Sequence, residues 1–332
     1  MQNLRAAIVR SAAAVEAMPE DHPVYASMLG QLGSHLDRQY ERTGNLQHLQ
    51  AAIVRSAAAV EAIPEGHPSR AVLLAQLGSN LKGRYHQTDN LQDLGAAIAR
   101  LTAVVEALPE DHPDRAGYLT DLGIYLGTRY ERTGNLQDLE GAIARSETAV
   151  EATPEDHPDR AKLLCNLGCH LSRRYERTGS LEDLEAAITR STTVVEAPPT
   201  EDHYDRAGHL NNLGHFLSRR YDRTGNLQDL EAAIARSEAA VEALPEDHPD
   251  RVGWLSNLGG HLSRRYERTG SLQDLEAAIA KSTAAVEAMA EDHFARATLL
   301  GNLGSQLRRL PSPGQRQQWR QRQTIIPTDQ DG

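Results

Sequence analysis

Self-similarity constrains this chain more than any single motif does. The histidines His22, His67, His112, His157, His203, His248 and His293 follow one another at steps of 45 residues, with one step of 46. Tyr40, Tyr85, Tyr130, Tyr175, Tyr221 and Tyr266 keep the same spacing, and the one extra residue falls in Pro198-Pro199-Thr200. A period between roughly 20 and 50 residues marks an array in which each copy buries its apolar face against its neighbours. A length of 332 residues would otherwise suggest two domains. With one repeat running through it, the body of the chain reads as a single array.

Each copy reads as two helices, as residues 157 to 199 illustrate. His157-Pro158-Asp159 predicts a helix start, with proline at the first helical position and the aspartate near the positive end of the macrodipole. Leu164, Leu167, Leu171 and Tyr175 recur on one helical face. Gly179 predicts a left-handed stop, with Arg173, Arg174 and Arg177 near the negative end. Ser180 then caps a second helix, and Asp183 three residues on gives a capping-box-like arrangement. Leu181, Leu184, Ile188 and Val195 form that helix's inner stripe, and Pro198 and Pro199 end it. Gly168 and Ala187 are small at fixed places, which lets the two backbones approach closely.

Composition bears on what such an array meets. Apolar residues make up 39% but aromatics only 4%, so the core must be built from Leu, Ala, Ile and Val. The formal charge of −11 speaks against nucleic acid and anionic lipid as partners. Two cysteines exclude a disulfide framework, and no sequon, apolar leader or membrane-length apolar run is present. The expectation is a cytoplasmic protein without a membrane partner.

No phosphate-binding glycine loop, dinucleotide fingerprint, H-E-x-x-H or G-x-S-x-G occurs, so neither an enzyme nor a cofactor is expected. The seven periodic histidines belong to successive copies about 10 Å apart, too far to share a metal, and read as helix-start residues. Cys165 and Cys169 lie one turn apart with His170 beside them, and His209 and His215 follow in the next copy. Two thiols and an imidazole leave a zinc set incomplete, and no metal site is expected.

The unit resembles a tetratricopeptide repeat. Leu164, Leu167, Gly168 and Leu171 match the first helix of that pattern, and Ala187, Val194 and Pro199 approximate the second. A cleaner copy runs through Leu119, Leu122, Gly123, Leu126, Ala142, Ala149 and Pro154. Relative to the family's 34-residue pattern, the step from Gly to Ala is longer by about two helical turns, and four further residues sit in the Glu-Asp-His-Pro loop. The long units, with their Arg-Tyr-Glu-Arg-Thr-Gly and His-Pro-Asp-Arg motifs, are similar to those found beside CHAT-type peptidase or NTPase domains in fungal and bacterial proteins, and more distantly to kinesin light chain. The bulky aromatic usual in the family's second helix is replaced by Ser146, Ser191 or Ser237. The resemblance implies an all-α, right-handed superhelical solenoid over residues 1–310. It consists of six full two-helix units flanked by half-units, with residues 311–332 an unregistered, disordered tail.

It also implies a function. In the family, the polar stripe opposite the apolar face of each first helix lines a concave groove that binds peptides. Two residues before the signature glycine stand Asn166, Asn212, Asn257 and Asn302, with Gln31, Gln76 and Asp121 in the earlier copies. Five residues after it stand Arg173, Arg219, Arg264 and Arg309, with Arg38 early in the chain. Lys82, Lys162 and Arg308 adjoin the stripe, against Asp37 and Asp121. Asn166, Arg173, Asn212, Arg219, Asn257, Arg264 and Asn302 are therefore the candidate peptide-binding residues. The expected partner is a protein or peptide segment that is acidic, since guanidinium pairs with carboxylate. The same arginines can instead complement helix dipoles and pair with acidic residues between units. Two other functions stay open: a regulatory or substrate-recognition fragment of a CHAT-type protease or NTPase system, and an architectural array that self-associates through its N-terminal half-unit.

Overall fold

The computed structural model describes residues 2–197, 203–291, 293, 295–312 and 314. The loop Pro198-Pro199-Thr200 and most of the expected tail, residues 315–332, lie outside the described residues. Fourteen α-helices and no strands are present among those described. The chain divides into two compact units, Met1–Gly179 and Ser180–Gly332. The first holds α1 (Gln2–Ala17), α2 (Tyr25–Thr43), α3 (Leu46–Ala62), α4 (Arg70–Thr88), α5 (Leu91–Ala107), α6 (Arg115–Thr133), α7 (Leu136–Glu151) and α8 (Arg160–Thr178). The second holds α9 (Leu181–Glu196), α10 (His203–Thr224), α11 (Leu227–Glu242), α12 (Arg251–Thr269), α13 (Leu272–Ala288) and α14 (Arg296–Arg308). Within each unit every helix packs on the next one in sequence, so the fold is an all-α stack of helical repeats.

Helix ends explain the period. Gly44, Gly134, Gly179, Gly225 and Gly270 adopt the left-handed conformation after a first helix, each donating its N–H to a tyrosine carbonyl four residues back. The sixth such place, in the first unit, is filled by Asp89 at φ 55°, which an aspartate tolerates better than most residues. Asn45, Asn90, Asn135 and Asn226 then cap the second helices by accepting from the backbone N–H two residues on, while Ser180 and Ser271 accept from the third.

The His-Pro-Asp-Arg motif differs from the sequence expectation. The first helices start at Arg160 or its equivalents rather than at Pro158, and the prolines sit in the preceding turn. The periodic histidines cap that turn: Nδ1 of His67, His112, His157 and His248 accepts the N–H two residues later. The arginine is the cap of a different helix. Arg70 donates from Nη1 to the carbonyls of Val60 and Ile63, at 2.9 and 2.7 Å, and Arg115, Arg251 and Arg296 treat the equivalent carbonyl pairs alike. Those carbonyls close the preceding second helix, where backbone N–H partners run short; the Val241 and Val286 carbonyls also accept the N–H of Leu244 and Met289, at 3.4 Å.

Within a repeat the two helices meet at the signature glycine. A Cβ on Gly123, Gly214 or Gly259 would lie 3.3, 3.0 or 3.2 Å from an alanine carbonyl of the second helix and 3.0, 2.6 or 2.7 Å from a serine hydroxyl. Around this contact the leucines are sealed, among them Leu122 and Leu139 in the first unit and Leu213, Leu230 and Leu258 in the second. Each is worth about 1.5–3 kcal/mol of burial. A two-pronged ion pair clamps the far end. Arg84, Arg129, Arg220 and Arg265 reach Asp93, Asp138, Asp229 and Asp274 through Nε and Nη2, at 2.5 to 2.9 Å. These carboxylates turn to arginine instead of closing a capping box, and their hold raises the guanidinium pKa above its ordinary value.

Two alanine substitutions in α10 separate this contact from helix propensity. Gly214→Ala forces a Cβ into Ser237 and the Ala233 carbonyl and is expected to destabilise by about 1–3 kcal/mol. Gly208→Ala meets nothing within 4 Å and is expected to stabilise by up to about 1 kcal/mol. Thermal and urea unfolding should show opposite signs; equal signs would show that the glycine is not there for close approach.

Candidate functional site

In the second unit the first helices α10, α12 and α14 border one open recess of about 460 Å³. From α10 come His215, Ser218 and Arg219, and from α14 come Asn302, Ser305, Gln306 and Arg309. The middle helix α12 supplies Ser256, Asn257, Gly260, His261, Ser263, Arg264 and Glu267. No aliphatic side chain lines it. Four candidate residues, Arg219, Asn257, Arg264 and Asn302, are thus brought together. Asn212 sits on α10 but does not line the recess, and Asn166 and Arg173 belong to α8 of the first unit.

The stripe is already partly engaged. Arg264 Nε lies 3.0 Å from Asp222, Arg309 pairs with Glu267 and Arg173 with Glu131, each acid standing on the first helix one repeat earlier. These pairs are one-third to one-half exposed, so each is worth no more than about 1 kcal/mol. The amides at the asparagine position also reach backwards. Asn257 Nδ2 donates to Asn211 Oδ1 at 3.3 Å, and Gln76 donates to the Gly30 carbonyl and to Ser34. A part of the stripe thereby stitches repeat to repeat.

Residues that the sequence reading passed over carry the strongest polar signal. Two positions after the signature glycine the repeats hold Asn80, Tyr125, His170, Phe216, His261 and Gln306, all buried, and in the first copy the half-buried His35. Among the described residues His261 has neither ring nitrogen hydrogen-bonded; Ser218 Oγ and Gln306 Oε1, also on the recess, are unpartnered there as well. Burial and then Arg264, His215 and Arg219 push the His261 pKa down to about 3. The signal was legible in principle, as a polar residue recurring at a register position that must be buried.

The corresponding face of the first unit is built differently. Lys82 Nζ stands 4.5 Å over the Tyr125 ring, and burial pushes the Tyr125 hydroxyl pKa up and the Lys82 pKa down. Burial also raises Asp121, against the pull of Lys82 and Lys162. Two of the stripe's cations thus act on a carboxylate of the same stripe. Cys169 lies against Cys165, whose hydrogen bond together with burial holds the Cys169 thiol pKa well up, unlike a reactive thiolate. His170 meets Arg173 at 3.4 Å. Among the described residues no group of three His, Cys, Asp or Glu side chains could hold a metal, and no helix is long and apolar enough to cross a membrane.

Acid should expose the buried imidazoles. His261 is held down to about 3, and His170 down to about 4 by burial and Arg173, whereas an unfolded histidine titrates near about 6.5. Between those values only the unfolded chain takes up the protons, so stability is full above about pH 6.5 and falls as the pH drops towards 4, by at most about 1.4 kcal/mol per pH unit and ring. His170→Gln/His261→Gln, using the side chain already found at Gln306, should flatten the melting temperature between pH 6.5 and 5. An unchanged slope would show that these rings are not buried neutral.

Comparison with known proteins fits this geometry. The tetratricopeptide repeat family model matches residues 115–159 and 206–250, each a first helix with its second helix and following turn. A tetratricopeptide repeat protein from Parabacteroides merdae aligns over 92% of this chain and 93% of its own, at 15% identity and TM-score 0.54. The APC/C hetero-tetramer Cut9-Hcn1 aligns over 92% of this chain and 46% of the other, at 13% identity and TM-score 0.56. A putative kinesin light chain from Podospora anserina, built of nearly identical repeats, aligns over 65% and 96%, at 19% identity and TM-score 0.46. No curated protein matches the chain in sequence. Residues 115–159 and 206–250 thus match the tetratricopeptide repeat family, and the other copies share their 45-residue period, helix pairing and signature glycine.

Proposed function

We propose that the protein is an interaction scaffold that holds a segment of another protein against the first helices of its second unit, through Asn212, Arg219, Asn257, Arg264 and Asn302, with Asn166 and Arg173 the residues of the same register in the first unit. The observation that carries this is the recess between α10, α12 and α14, where three arginines meet buried hydrogen-bonding groups that have no partner. The segment is acidic. Its carboxylates exchange with Asp222 and Glu267 for guanidiniums whose present pairs are half-exposed and weak. The Cut9-Hcn1 assembly supports the general reading, as a fold of this kind within a complex. Shape is pre-formed and the work is recognition rather than chemistry.

Fluorescence polarisation with acidic, neutral and basic peptide pools gives the test. Acidic pools should bind best, and Arg219→Glu/Arg264→Glu should weaken them at least ten-fold with far-UV circular dichroism unchanged. Equal binding of all three pools would sink the acidic-segment reading.

A second reading has its own observation. Leu4, Ala7, Ser11 and Ala14 of α1 are only half-buried, while the equivalent Leu49, Ala52, Ser56 and Ala59 of α3 are at most 1% exposed. That stripe supports self-association through α1. Sedimentation of the whole chain should then depend on concentration and lose that dependence in Leu4→Lys/Ser11→Lys; a concentration-independent monomer would rule it out.

A further inference from the structure

We infer that the recess of the second unit seats a phosphorylated serine or threonine side chain carried by the bound segment. This rests on the reading that a protein segment lies along these helices, and it names the group that anchors it. The wall is the first reason. Ser218, Ser256, Ser263 and Ser305 face one space with three guanidiniums, a wall rich in hydroxyl and N–H groups. A phosphate monoester offers three strong acceptor oxygens at once, where a carboxylate offers two.

The second reason is what the recess leaves unmet. Ser218 and His261 are 2% and 3% exposed, and neither the hydroxyl nor either ring nitrogen has a partner among the described residues. A buried polar group left so costs about 1–3 kcal/mol. The Ser218 hydroxyl and the imidazole N–H are donors suited to an oxyanion. Gln306 Oε1 and the other ring nitrogen are acceptors, which an anion cannot use but backbone N–H groups of a peptide can. That mixture favours a phosphate on a peptide over a free one.

Charge is the third. Arg264 is held by Asp222 in a pair about one-third exposed, Arg309 by Glu267 and, through Nη1, by the recess hydroxyl of Ser263 at 3.0 Å, and Gly260 leaves bare backbone beside Arg264, whose Nη1 would stand 3.5 Å from a Cβ there. Both guanidiniums can turn inward at small cost and fork onto phosphate oxygens. The buried imidazole is kept uncharged by burial and by Arg264, His215 and Arg219, so it donates without protonating, in a positive field that favours an anion.

The full chain would be titrated with three labelled peptide libraries, degenerate around a central phosphoserine, glutamate or serine, with inorganic phosphate as competitor. The phosphoserine library should bind at least ten-fold tighter than the other two. Ser218→Ala/His261→Gln should cut that preference below three-fold. Ser305→Asp, on an exposed position of α14 that leaves the core untouched, should do the same by adding charge to the recess. Equal binding of phosphoserine and glutamate libraries would overturn the phosphate seat and leave the acidic-segment scaffold standing. Binding of inorganic phosphate without any peptide preference would overturn the peptide-borne source. Failure of all three libraries would overturn both readings.

Discussion

The contact on which the rest depends is the approach of one helix backbone to the next at a glycine. Gly123, Gly214 and Gly259, having no side chain, leave room for the Ala142, Ala233 and Ala278 carbonyls and for the hydroxyls of Ser146, Ser237 and Ser282. Helices that close bring the leucines on either side into van der Waals contact, and they bring the arginine near the end of the first helix over the aspartate in the first turn of the second. The ion pair between Arg129 and the 5%-exposed Asp138 carboxylate is therefore a product of the glycine contact as much as a support for it. A carboxylate buried that far would be costly alone. Paired through two parallel bonds it makes the register of the two helices specific.

Much of this was legible in the sequence because it is periodic. The 45-residue step places the helices, the left-handed glycines and the Asn or Ser caps, and all of these depend only on local backbone chemistry. Arg160 and its equivalents were harder to read, because the carbonyls they cap lie seven and ten residues earlier, at the end of another helix. A charged residue at a helix start looks misplaced until its partner is known to be the negative end of another helix. The prolines misled for a similar reason: Pro158 suits a first helical turn equally well, and only the histidine cap shows that the turn closes before the helix opens.

The candidate face was legible in outline only. The asparagine and arginine positions were picked out by their spacing, yet Asn257 and Gln76 spend amide donors on the preceding repeat, and Arg173, Arg264 and Arg309 are paired to acids there. Such pairing spans some 42 residues and leaves no local pattern. His261, Ser218 and Gln306 went unread because sequence position shows that a side chain is buried, not whether it has a partner.

The arginine caps have one more consequence. Both parts of the joint, the two carbonyls ending one second helix and the arginine opening the next first helix, recur at Arg70, Arg115, Arg160, Arg251 and Arg296. Duplication or loss of one such block, wherever the cut falls, rejoins a carbonyl pair to an arginine of the same kind and leaves no unmatched seam. Copy number is thus free to drift under recombination without a penalty at the new junction, while the residues facing the recess diverge from copy to copy.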